Sequence, residues 1–117
     1  SIYPDDHPLT MLYAELLIKN GNANESKRVL REHMRSRRVD PFLYQLYARA
    51  TGDAGLKAES HLALAEYYYA TGEISTAIQQ LNLARKLSTE QNSYQTARIE
   101  ARLQELKTEF DEVTKHR

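Results

Sequence analysis

Residues 61–84 read HLALAEYYYATGEISTAIQQLNLA. Three consecutive tyrosines, Tyr67, Tyr68 and Tyr69, precede the lone Gly72, and an apolar rhythm then resumes. Neighbours on a helix stand about 100° apart, so the three rings cannot share one face. His61, Leu64, Ala65 and Tyr68 fall together on one side. Gly72 suits a left-handed reversal. Ala77, Leu81 and Ala84 then return along a second helix, with Ala77 small where the two rods cross closely. Tyr68 supplies a large flat ring for the notch between them. Tyr67 is left for an adjacent helix, and Tyr69 shares a face with Leu62 and Glu66. The stretch therefore predicts a helical hairpin.

The same signals recur on either side. Pro8 at a helix start and Gly21 at a helix stop predict a helix over 8–20. Its apolar residues Leu9, Leu12, Tyr13, Leu16 and Leu17 recur near every 3.6 positions. Asn22 with Glu25 has the form of a capping box opening a second helix, whose inner stripe is Val29, Leu30, His33 and Met34. Asp40-Pro41 starts a third, carried by Leu43, Tyr44, Leu46, Tyr47 and Ala50 to Gly52. Asp53 is expected to cap the fourth, which runs to Thr71. The fifth covers 74–87, and Asn92 caps a sixth that runs close to the C-terminus. Connections are short, so successive helices should pack antiparallel. No strand candidate and no linker divides residues 1–117, which read as one all-α domain.

Bulk composition narrows the function. Sixteen basic and sixteen acidic residues cancel, so no global field draws in nucleic acid or an anionic membrane. The absence of cysteine excludes disulfides, thiolate zinc sites and cysteine nucleophiles. No apolar run is long enough to span a bilayer and no signal peptide is visible. The chain opens Ser1-Ile2-Tyr3-Pro4 without methionine and is expected to be a piece of a longer protein.

Ala65, Tyr68, Gly72, Ala77, Leu81 and Ala84 hold the spacing of a tetratricopeptide repeat and resemble that motif. Tyr13, Ala14, Leu17, Gly21 and Leu30 match it near the start, with Ser26 and His33 where small alanines are usual. That repeat starts at 7 and the next at 41, the expected 34-residue period. The best-matching motif starts at 58, half a period later. Helix 4 must then serve helix 3 as second helix and helix 5 as first. The resemblance implies antiparallel hairpins in a right-handed solenoid with the last helix as a cap. Helix 6 carries Ile99, Leu103, Leu106, Phe110 and Val113 at coiled-coil spacing, a seam expected to cover the last hairpin.

No catalytic constellation emerges. His7, His33, His61 and His116 include no i,i+4 pair, and there is no HExxH helix, phosphate-binding glycine loop or GxSxG elbow. Residues 27–38 (KRVLREHMRSRR) concentrate positive charge. Arg28, Arg31, Arg35 and Arg38 would share one side of helix 2, either as a grip for phosphates or acidic proteins, or as a solvated face near a helix C-terminus.

Two segments go further. AEYYYATGEISTAIQQLNLARKL (65–87) and YQTARIEARLQELKTEF (94–110) resemble the C-terminal repeat region of the β-barrel assembly-enhancing proteases, envelope zinc metallopeptidases of Gram-negative bacteria. PFLYQLYARATGDAG (41–55) looks like the helix and turn just before it. The resemblance implies a periplasmic setting and a separate catalytic domain holding zinc on an HExxH helix. This chain lacks that helix and would be the non-catalytic half, with no cofactor of its own. The implied partners are the outer-membrane assembly machinery, its substrates or the protease domain itself. Leu62, Glu66 and Tyr69, with Met11, Glu15 and Ile18, are expected to form a groove for a protein segment, Glu66 selecting donors or basic residues. Leu62 and Glu66 stand where Lys and Asn would clamp a C-terminal carboxylate, so no such clamp is expected. The alternatives are a basic-helix binder of nucleic acid or acidic proteins, and an intramolecular scaffold for the protease domain.

Overall fold

The computed structural model describes residues 6–36, 40–89 and 91–115. Six helices follow one another: α1 (His7–Lys19), α2 (Ala23–Ser36), α3 (Pro41–Asp53), α4 (Lys57–Ala70), α5 (Ile74–Leu87) and α6 (Ser93–Lys115). Each packs against its neighbours in sequence, and α1 also touches α3. The molecule measures 46 × 33 × 21 Å. Its thinnest dimension is about two helix diameters, as expected for a stack of hairpins. The architecture is a helical repeat-like solenoid.

One turn design builds three of the joints. Gly21, Gly55 and Gly72 have φ of 80°, 83° and 87°. At each, the glycine N–H and the next N–H reach back to the preceding helix, for example Gly72 to Tyr69 O at 3.1 Å and Glu73 to Tyr68 O at 2.8 Å. This pair of bonds satisfies carbonyls that a helix end otherwise leaves open. Asp6 and Asp40 open α1 and α3 with side-chain caps, accepting from Leu9 N and Phe42 N, each at 2.9 Å.

The expected boundary between helices 3 and 4 moves. Gly52 does not stop α3, and Asp53 is its last residue rather than the cap of α4. The left-handed position falls at Gly55, and α4 begins at Lys57 with no side-chain cap bond. Gly52 instead lies at a close approach: a Cβ there would meet Ser60 Oγ at 3.2 Å.

Small residues set the crossings. Ala14, Ala48 and Ala65 are buried where α1 meets α2, α3 meets α4, and α4 meets α5. Ser26, Ser60 and Ala77 face them, each 12 residues on. Ser26 Oγ donates to Ala14 O at 2.8 Å, and Ser60 Oγ donates to Ala48 O at 2.7 Å. Ser26 is thus a built contact and not a lapse from the alanine pattern. The leucine row of α1 turns the other way. Thr10, Ala14 and Ile18 are buried, whereas Leu9, Leu12 and Leu16 are 43%, 52% and 46% exposed. Close approach selects the face that carries Ala14, and the bulkier row is left outside.

Two apolar clusters result. One joins Ala14, Ile18, Leu30, Leu43, Leu46, Tyr47, Ala50 and Ala63. The other joins Leu62, Ala65, Ala77, Leu81, Ala84, Ile99, Leu103 and Leu106, with Tyr68 and Tyr69 packed on it. α4 contributes to both, as its double role in the half-period register requires. Fully burying one leucine such as Leu81 contributes roughly 1.5–3 kcal/mol. The α6 seam covers the second cluster through Leu106. Phe110 is half-buried and Val113 is 45% exposed.

Candidate protein-binding groove

A groove of about 420 Å³ opens between α2, α3, α4 and the start of α6. Its floor is one face of α4, since Glu59, Leu62, Ala63 and Glu66 recur at helical spacing. Met34 and Tyr44 add apolar wall from α2 and α3, and Tyr94 and Arg98 stand on the α6 side.

Both carboxylates of this floor are already engaged. Arg31 Nη2 donates to Glu59 Oε1 and to Tyr47 Oη, each at 3.0 Å. The Tyr47 hydrogen bond, more than the nearby Glu59, raises the guanidinium pKa of Arg31 above its ordinary value. Arg102 forks onto Glu66, with Nε to Oε2 at 2.8 Å and Nη2 to Oε1 at 3.0 Å. Burial opposes the charge of Arg102, but Glu66, Glu105 and Tyr69 together outweigh it and raise its pKa. Two-point pairing of this kind fixes geometry as well as charge. Burial raises the phenol pKa of Tyr44, with Glu66 adding to the effect and Arg102 opposing it.

Arg98 differs. Its guanidinium lies 5.8 Å from the centroid of the Tyr94 ring. Among the described residues no carboxylate pairs with it. Tyr94 itself is 75% exposed. α6 opens with Asn92 Oδ1 accepting from Gln95 N at 3.1 Å, and its first turn holds no acidic residue.

The six residues expected to form one groove are distributed over three places and the core. Leu62 and Glu66 are in the groove just described, Leu62 as a largely buried floor and Glu66 tied to Arg102. Tyr69 lies beyond Arg102, whose guanidinium sits 4.7 Å from its ring centroid. Tyr69 Oη donates to Glu109 Oε1 at 2.8 Å, which raises the phenol pKa. It lines a separate hollow with Gln104 and Thr108. Met11 and Glu15 line another, beside Phe42 and Arg49, with Glu15 and Arg49 3.5 Å apart. Ile18 is buried in the first cluster. The divider is Arg102. α6 lies against the second cluster and places that side chain between Glu66 and Tyr69. Met34, Tyr44, Tyr94 and Arg98 line the groove without having been singled out as groove residues. An aromatic with arginine four positions on, Tyr94 and Arg98, was the available signal.

The basic side of α2 is partly neutralised. Arg28 bonds Glu25, which lowers the Glu25 pKa, and Arg31 is held as above. Arg35 is exposed, and Arg38 lies outside the described residues. His7 Nε2 meets Asp40 Oδ2 at 2.8 Å and His7 Nδ1 meets His33 Nε2 at 2.8 Å, joining α1, α2 and the start of α3. His61 Nδ1 meets Gln80 Oε1 at 2.7 Å across α4 and α5. His116 lies outside the described residues. Among the described residues no group of three His, Cys, Asp or Glu side chains is placed to hold a metal ion. Among them, too, no helix is long and apolar enough to cross a membrane.

In comparisons with known proteins, no family model matches the chain, and no curated protein or solved structure gives a significant match.

Proposed function

We propose that this chain is a non-catalytic protein-binding module that takes a segment of another protein into the groove between α4 and the start of α6. The observation that carries the reading is the groove itself. An apolar strip of Leu62, Ala63, Met34 and Tyr44 is bounded by the ion pairs Arg31–Glu59 and Arg102–Glu66. Its volume lies in the range of specific ligand sites, roughly 300–1,000 Å³. Rigid packing on both faces of α4 preorganises the strip, so little ordering cost falls on the binding step.

The wider assignment is to the non-catalytic half of a periplasmic zinc metallopeptidase engaged in outer-membrane protein assembly or quality control. It rests on the resemblance of residues 41–55, 65–87 and 94–110 alone. A second reading, an intramolecular scaffold for the protease domain, is favoured by the exposed row Leu9, Leu12 and Leu16 with Phe42 at 66% exposure. A contiguous apolar patch of this kind marks contact surfaces. The basic-helix reading is the weakest, since Arg28 and Arg31 already hold carboxylate partners.

Peptide-display selection against the whole chain, followed by amide-shift mapping of the selected peptides, tests the groove. Perturbations centred on Tyr44, Ala63, Tyr94 and Arg98 are expected. Perturbations confined to Leu9, Leu12 and Leu16 would move the function to the scaffold reading. Perturbations confined to Arg28 and Arg35 would move it to the basic helix.

A further inference from the structure

The groove's charge pattern specifies its occupant more narrowly. We infer that it selects a protein segment carrying an acidic side chain beside an apolar one, with the carboxylate seated on Arg98. This rests on the groove reading above and goes one step beyond it.

The sequence alone points the other way, because Glu66 on the face of α4 shared with Leu62 and Tyr69 suggests a site for donors or basic residues. The geometry reverses that sign. Glu59 is held by Arg31 at 3.0 Å and Glu66 by Arg102 at 2.8 Å. A basic ligand would have to displace an arginine from each carboxylate, and the Glu66 pair is bidentate and only about a quarter exposed. Arg98 has no carboxylate partner among the described residues. Its guanidinium lies over the Tyr94 ring, 5.8 Å from the centroid and within cation–π reach, a contact that uses none of its N–H donors. The start of α6 adds a positive end on the same wall, with no first-turn carboxylate to cancel it.

The opposite side of the opening is apolar. Leu62, Ala63 and Met34 offer no hydrogen-bonding side chain, and the Tyr44 ring is partly buried beside them. A segment that satisfies both sides presents a carboxylate to Arg98 and an aliphatic or aromatic side chain to the α4 strip. The acidic group is an internal side chain and not a free C-terminus, since among the described residues lining the groove Arg98 is the one cation without a carboxylate partner. Capture of a chain end calls for several convergent donors.

A positional-scanning library of short fluorescein-labelled peptides, acetylated and amidated at their ends, tests this by anisotropy. Enrichment of Asp or Glu at one position, with Leu, Phe or Tyr nearby, is expected. Arg98→Gln should weaken the best acidic peptide about fivefold, the upper range for a solvent-facing ion pair. Arg98→Glu should switch the preferred residue at that position to Lys or Arg. Arg85→Glu, on the outer side of α5, should change neither. Groove binding with no charge preference, or with a preference that Arg98→Glu leaves intact, overturns the acidic-segment inference and leaves the groove reading standing. A preference appearing only when the peptides carry free carboxyl ends also overturns it. No peptide binding at Tyr44, Ala63 or Tyr94 in the wild-type chain overturns both.

Discussion

Ser26 and Ser60 donate the same hydrogen bond one repeat apart, Ser26 to Ala14 O at 2.8 Å and Ser60 to Ala48 O at 2.7 Å. Each hydroxyl spans a helix crossing where side chains are too small to fill more than a contact. The two bonds mark α1–α2 and α3–α4 as copies of one hairpin. The acceptors are helix-interior carbonyls with a second lone pair to offer. Ser26→Ala should therefore cost about 1 kcal/mol, the net value of such a bond, with the acceptor still served by its own helix. Ser60→Ala should cost less, because that site is only half-buried. Urea unfolding of the two variants checks the order.

Gly52 and Ser60 form a coupled pair. Alanine at 52 gains about 1 kcal/mol in helix propensity. Its Cβ would meet Ser60 Oγ at 3.2 Å, and that oxygen is fixed by its bond to Ala48. Gly52→Ala alone should therefore be close to neutral. In a Ser60→Ala background the same change should stabilise by about 1 kcal/mol. A double-mutant cycle reads the difference, and simple additivity would refute the coupling.

Arg102 should matter more than Arg28. Arg102 is 26% exposed and serves Glu66, Glu105 and the Tyr69 ring, whereas the Arg28 side chain is 62% exposed beside Glu25. Arg102→Ala leaves a half-buried Glu66 without its fork and should cost about 1–2 kcal/mol. Arg28→Ala should barely register, and so should any acid titration of that pair. Thermal unfolding of the two variants side by side gives the comparison.

Alkaline pH should loosen the α2–α3 contact. Burial raises the Tyr47 pKa above the ordinary 10.0, with Arg31 opposing and Glu59 reinforcing the shift. Above pH 10 the unfolded chain gives up this proton first, so stability falls with rising pH through the folded-state value. Tyr47→Phe should flatten that part of the profile. Guanidinium unfolding of both proteins from pH 9 to about pH 11 measures it. Identical slopes would show that Tyr47 does not contribute.

Much of the fold was legible because its signals are local. Asp40-Pro41, Gly21 and Gly72 each carry their instruction within one turn, and the 34-residue spacing needs only counting. The half-period register of α4 was visible in the same way. The period of the leucines in α1 did not say which face turns inward: crossing distance decides, and the face with Ala14 is buried while Leu9, Leu12 and Leu16 stay outside. The site was harder. Leu62, Glu66 and Tyr69 do share a helical face, but their environment is set by α6, which follows α4 by a whole helix. Nothing near Glu66 announces Arg102, 36 residues away. Nothing near Arg31 announces Glu59 or Tyr47. Charge read along a helix therefore left out the arginines that hold Glu59 and Glu66, and Arg98 stood out only when those pairs were in place.

Because α4 is shared, the molecule has no seam. A break before it strips Ala63 from one nucleus of side chains, and a break after it strips Leu62 and Ala65 from the other. Neither end can melt and leave its neighbour whole. The expected consequence is a single unfolding transition, in place of the stepwise fraying that a chain of independent modules allows.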